Sequence, residues 1–263
     1  MHESSVDVGS PFSRELPPNI GGVLFDLDGV LTSTAEVHAA AWTEAFDAFL
    51  ASQSTEDRPL APFSHDDYLT YVDGRPRRDG VRAFLASRLI VLPEGERSDG
   101  GDVLSVNGLA RRKNELLLHR LQVQGAKAFP SSRPYIEAMR AAGIACGVVS
   151  SSENAIPVLE ATGLRELVDI VVDGVVADQE TLAGKPLPDT FLYGARLLEL
   201  DPSDVAVFED AVAGVKAGRA GGFGWVVGID RAGHRDELLA GGADIVVIDL
   251  GELAFPPAKL RTS

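Results

Sequence analysis

Four short segments carry side chains able to handle a phosphate, a metal ion or a proton. In GGVLFDLDGV, Asp26 and Asp28 stand two residues apart at the end of an apolar run. Side chains at i and i+2 of an extended chain project to one side, so both carboxylates can reach one pocket. Gly29 permits the tight turn that keeps them at its lip. The plainer reading is an Asp-Gly turn after a strand. In VAVFED, Glu209 and Asp210 end a second apolar run and open the next helix, where the helix dipole alone would favour acidic residues. Carboxylates converging from two strand ends repel unless a cation lies between them. A few hard oxygen ligands, with waters that a phosphate can replace, suit Mg2+. Ser150, Ser151 and Ser152 follow IACGVV and precede a helix, so their hydroxyls and the free amides form either an anion site or plain helix caps. Lys185, in the loop AGKPLPD, is either a solvated surface charge or a point charge for a phosphate.

Two other phosphate motifs are excluded. Gly184-Lys185 is followed by Pro186, and Gln179 stands six before Lys185 where a P-loop needs glycine. AGVKAGRAGG lacks the GxGxxG spacing, and Glu209-Asp210 before it would repel a dinucleotide pyrophosphate.

Elements must hold these segments together. After Pro130, helical patterns alternate with short β-branched runs: IACGVVS, VDIVVDG, DVAVFED, FGWVVGI and ADIVVID. Buried strands alternating with helices predict an α/β fold with a doubly wound parallel, Rossmann-like sheet. The first strand, in the apolar run GGVLFDLDG from Gly21, is separated from its partners by about a hundred residues of helical pattern, far more than a connecting loop. Helices are expected over 35–50, 66–72, 80–90 and 108–123. This insertion leaves just after Asp28, at the carboxyl end of a parallel strand, where such sheets bind ligands. It therefore reads as a helical cap domain, 35–126, over a core domain of 20–34 and 127–255. Residues 1–19 read as a disordered N-terminal tail and 256–263 as a C-terminal tail. The stretch 93–107 is Gly-rich, acidic and aperiodic, the composition of a mobile loop.

Within the insertion, His38 lies on the helical stripe of Trp42, Ala45, Phe46 and Phe49, where an interior histidine is the plainer reading. Lys113 interrupts the stripe Leu109, Leu116, Leu117, Leu121, an uncommon place for lysine unless it is paired or faces a wet cleft. The segment DGRPRRDG holds Arg75, Arg77 and Arg78, which form a solvated face or a bidentate phosphate grip.

The formal charge of the 263-residue chain is −15, from 39 acidic and 24 basic residues. Such a surface repels nucleic acid and anionic membranes, so a small molecule is the expected partner. The single cysteine, Cys146, excludes an intramolecular disulfide and lies in an apolar run. No stretch reaches the roughly 18 apolar residues of a membrane span. The polar, Pro-containing start fits neither a signal nor a transit peptide, so a cytoplasmic location is expected.

In order, FDLDGVLT, VVSSS, GKPLPD and VFEDAVAGVKA resemble the four signature segments of the haloacid dehalogenase superfamily of phosphotransferases. The resemblance implies that Asp26 is a nucleophile and Asp28 a general acid/base. It implies that Ser150, Ser151 and Lys185 hold the transferring phosphoryl group. Asp26, the Asp28 carbonyl, Glu209 and Asp210 would ligate Mg2+. The segments DGVLTSTAEVHAAAW, DGRPRRDG and LARRKN resemble the β-phosphoglucomutase subgroup. That likeness implies substrate contacts from Thr34, His38, Trp42, Arg77, Lys113, Ser152 and Asn154. It departs at Ser33, Ser151 and Glu153, the last standing where some relatives carry lysine. The implied activity is β-glucose 1-phosphate to glucose 6-phosphate isomerisation by a monomer. A sugar-phosphate phosphatase is the alternative, and a non-catalytic sugar-phosphate binder ranks third.

Overall fold

The computed structural model describes residues 14–255. Six short strands form one parallel sheet in the order β3-β2-β1-β4-β5-β6. They are β1 (Gly22–Phe25), β2 (Ala145–Val149), β3 (Ile170–Val172), β4 (Val205–Glu209), β5 (Trp225–Ile229) and β6 (Ile245–Val247). The central strand β1 pairs with β2 on one side, Phe25 opposite Val148, and with β4 on the other, Phe25 opposite Phe208. Side-chain alternation sorts the strand residues onto two faces. Val23, Phe25, Cys146, Val148 and Phe208 pack with Tyr135, Ile136 and Met139 of α5 (Ser132–Ala141) and with Leu159 of α6 (Ala155–Ala161). Leu24, Val149 and Val207 pack on the opposite face. They meet Phe191 of α8 (Asp189–Leu197), Val215 of α9 (Val212–Ala220) and Leu238 of α10 (Arg235–Gly241). Helices thus cover both faces, as a doubly wound sheet requires.

The helical insertion has its own apolar cluster, in which Phe46, Phe63, Phe84 and Leu109 interlock. It contains α1 (Ala35–Gln53), α2 (His65–Asp67) leading into a π-helical turn (Tyr68–Val72), α3 (Arg77–Ser87) and α4 (Val106–Gln124). Its two connections to the sheet run side by side: Ser33 N–H donates to Lys127 O at 2.9 Å and Phe129 N–H to Leu31 O at 3.0 Å.

Several sequence expectations are adjusted. The helix expected over 66–72 is a single α turn, closed by a Ser64/Asp67 capping box, that widens to π pitch where Asp73 N–H reaches Tyr68 O. The helix expected over 80–90 starts earlier, so Arg77 opens α3 instead of riding a loop. A short helix, α7 (Gly174–Gln179), was not expected; Asp173 accepts from Val175 N–H and Val176 N–H to start it, and six residues are too few to show a period. The 93–107 stretch is tied down at several points. Asn107 Nδ2 donates to Glu94 O and Gly95 O, and Ser105 donates to Asp99. Residues 14–19 also depart from a free tail: Ala254 N–H donates to Arg14 O, and Leu16 packs on the core. Tail residues 1–13 and 256–263 lie outside the described residues. Cys146 is fully buried, with its thiol pushed up to about 12 by burial and the Asp169 charge.

Candidate active site

The strand ends on either side of the sheet's centre meet where the insertion arrives. Asp26 follows β1, its N–H donating to Phe208 O of β4 at 2.9 Å. Glu209 ends β4 and Asp210 follows it, so one short distance across the ladder separates the two acidic pairs. Oxygens of Asp26, Glu209 and Asp210 all lie within 4.8 Å of one another, and all three residues are buried. Two glycines make this crowding possible. A Cβ on Gly29, whose φ is +92°, would come within 1.7 Å of Asp210 Oδ2, and one on Gly214 within 1.8 Å of Glu209 Oε1.

Burial and mutual repulsion leave these carboxylates reluctant to ionise. Burial is the main cause raising Asp26 and Asp210, with neighbouring carboxylates adding to it, and it pushes Glu209 up to about 8. Lys185 counters them from beneath, 2.5 Å from both Asp26 Oδ1 and Glu209 Oε1, and donates to Val149 O at 3.0 Å. One cation for three carboxylates leaves a net negative, oxygen-only cluster, which fits a divalent hard cation. Behind it, His234 Nε2 donates to the Asp210 carbonyl at 3.0 Å, a support that sequence reading did not single out.

Asp28 stands opposite, on the side of the insertion. Thr34 donates to its Oδ1, Ser150 Oγ lies 3.5 Å from its Oδ2, and His38 Nε2 lies 3.6 Å from its Oδ1. Burial raises the Asp28 carboxyl, favouring its protonated form. Burial, then the Lys113 charge, lowers His38 well below its ordinary range, so its ring is neutral. Lys113 Nζ lies 3.0 Å from His38 Nδ1 and over the Trp42 ring. The ammonium can only donate, so Nδ1 accepts and Nε2–H faces Asp28. Burial, aided by Arg77, brings Lys113 down to about 7.

Asp26, Asp28, His38, Trp42, Arg77, Lys113, Ser150, Ser151, Ser152 and Asp210 line one cavity of about 60 Å³. Other expected residues lie around it. Thr34 is buried behind Asp28, and Lys185 and Glu209 are buried behind Asp26. Asn154 points elsewhere, donating to Asn114 Oδ1 at 2.9 Å. Ser151 spans the cleft instead of standing free, donating to Gly74 O at 2.8 Å. Sequence reading missed Tyr68 and Asp73 in the lining; Asp73 is raised to about 6 by burial, with Tyr68 as its hydrogen-bond partner. The only local signal was the DG turn at Asp73-Gly74 beside the arginines.

The family model for haloacid dehalogenase-like hydrolases matches residues 20–222. The chain belongs to that family. Within it, the chain is 50% identical over 243 residues to a β-phosphoglucomutase of Mycobacterium tuberculosis, covering 90% of this chain and 93% of that one. It is 28% identical to a fructose-1-phosphate phosphatase of Escherichia coli, covering 76% and 92%. Its fold matches the crystal structure of β-phosphoglucomutase from Clostridium difficile at a TM-score of 0.70 and 23% identity, over 90% and 94% of the two chains.

Proposed function

We propose that this chain interconverts β-D-glucose 1-phosphate and glucose 6-phosphate through an aspartyl phosphate on Asp26 and a hexose bisphosphate. The observation that carries this reading is that Arg77 and Lys113, from the insertion, line the same cavity as Asp26 and Asp28. A phosphatase needs one phosphate site; a mutase needs a second, for the phosphate that is not reacting. The likeness to the mycobacterial β-phosphoglucomutase supports the same choice.

In this reading 35–126 is a cap domain on a core of 20–34 and 127–255. Asp26 attacks phosphorus: an Oδ–P bond forms and the bond to the leaving sugar oxygen breaks. Asp28, whose protonated form is favoured by burial, gives that oxygen its proton and later takes one from the incoming hydroxyl. Thr34 and His38 fix the Asp28 carboxyl. Lys185 and the Ser150 region neutralise the phosphoryl oxygens. Mg2+, held by Asp26, Asp210, Glu209 and the Asp28 carbonyl, would supply the remaining positive charge. The cavity, about 60 Å³, is small for a hexose phosphate, so in this reading the cap parts from the core to admit substrate. Closed, it keeps bulk water from the aspartyl phosphate. A cytoplasmic monomer acting on a free sugar phosphate completes the reading.

The test is product analysis by phosphorus NMR with β-glucose 1-phosphate, with and without a bisphosphate primer. Glucose 6-phosphate should form without matching release of inorganic phosphate; equal rates of the two would favour the phosphatase. Arg77→Ala should slow isomerisation roughly tenfold to a hundredfold through loss of a charge-assisted contact. Acetyl-phosphate hydrolysis should be nearly unchanged.

A further inference from the structure

Arg77, the proposed clamp for the distal phosphate, already holds an anion. Its guanidinium lies 3.1 Å from Glu153, with side-chain exposures of 14% for Arg77 and 36% for Glu153. Burial lowers the Arg77 pKa, Glu153 opposes that, and the Arg78 and Arg111 charges add to the lowering. A phosphate arriving on this guanidinium would come close to the Glu153 carboxylate and be repelled by its charge. The two anions compete for one guanidinium.

The structure offers Glu153 somewhere to go. A second cavity, about 180 Å³, is lined by Glu153 and Arg77 together with Arg97, Arg111, Asn107 and Asn114. Arg97 is engaged with Asp178. Arg111, from α4, pairs with no acidic side chain among the described residues. A carboxylate leaving Arg77 therefore finds the Arg111 guanidinium within the same compartment.

We propose that Glu153 is a built-in stand-in for the distal phosphate, holding Arg77 until substrate binds and then swinging onto Arg111. It is thus a specificity-determining residue: a ligand that cannot outcompete a carboxylate for Arg77 does not displace it. The inference rests on the mutase reading, because it takes the distal phosphate of a sugar phosphate as the displacing group.

Calorimetry of glucose 6-phosphate binding tests it, in the presence of Mg2+ and with the Asp26 side loaded with beryllium trifluoride, so that the ligand's phosphate must take the distal site. Glu153→Gln keeps the shape and removes the competing charge, and should tighten binding about three- to tenfold. Arg111→Ala should weaken binding severalfold in the Glu153 protein and have little effect in the Glu153→Gln background. Thermal melts of each variant establish that it is folded. Equal or weaker binding by folded Glu153→Gln overturns the inference, as does an Arg111→Ala effect that is the same in both backgrounds. The reading beneath it is judged separately, by whether wild type isomerises β-glucose 1-phosphate at all. A phosphatase that still binds glucose 6-phosphate more tightly as Glu153→Gln would keep the stand-in and lose the mutase.

Discussion

At the scale of single residues, Asp28 and Lys113 carry the chemistry that can be tested most directly. In the proposed mechanism Asp28 moves protons and does not hold phosphate, so Asp28→Asn should slow turnover about a hundredfold or more. Binding of a phosphate analogue such as tungstate should be retained; unchanged turnover across the accessible pH range would contradict the assignment. Lys113 is held near 7 chiefly by burial, with the Arg77 charge adding to it. Below that pH it is an ammonium that can attract a sugar phosphate; above it the charge is lost from the free enzyme. The KM for β-glucose 1-phosphate should therefore rise as pH climbs from 7 to 8.5, about tenfold per unit at the limit, and Lys113→Met should flatten the profile. A wild-type KM that stays level over that range would remove Lys113 as a ligand.

At the scale of elements, polar contacts on the rim of the cleft join the helical insertion, the proposed cap, to the sheet-bearing part of the chain. Arg78, in α3, donates twice to Asp178 of α7, at 2.9 and 2.8 Å, and Arg97 from the 93–107 stretch grips the same carboxylate. These groups are partly exposed, so each pair contributes on the order of 0–1 kcal/mol and weakens with salt. Asp178→Asn removes both pairs at once. Energy transfer between dyes on cap and core should report a severalfold larger open fraction at low salt in the variant, and wild type should approach it as salt rises. Identical signals from the two proteins at low salt would show that other contacts govern closure.

At the scale of the whole molecule, an acidic protein of formal charge −15 gathers three buried carboxylates on one spot and gives them a single lysine. Protonation or a further cation relieves that crowding, and in the proposed mechanism the cation is Mg2+. Exhaustive chelation should abolish activity and added Mg2+ restore it, while Asp210→Ala should raise the Mg2+ concentration for half-maximal activity by a large factor. Full activity after chelation would sink the metal assignment. No helix among the described residues is long and apolar enough to cross a membrane.

The alternation of β-branched runs with helices was enough to predict the doubly wound sheet, and Asp26, Asp28, Glu209 and Asp210 were legible because parallel strands end on one edge. Any acidic pair at such an end is delivered to the same place, whatever lies between them in sequence. The same logic reached Ser150, just after β2, whereas Lys185, expected at another strand-to-helix transition, lies in the loop between α7 and α8 and reaches Asp26 from there. It could not reach Asp73, Asp178, His234 or the pairing of Glu153 with Arg77. Those depend on how the insertion meets the sheet and on how α9 and α10 pack, which bring together residues 24 to 100 positions apart through contacts that leave no local period. The π turn at Tyr68–Val72 is of the same kind: it is what swings Asp73 into the cavity. Local spacing determined which groups stand at the sheet's edge. Only the closed tertiary structure decided which of them face a ligand, which are buried behind it, and which anion waits on Arg77.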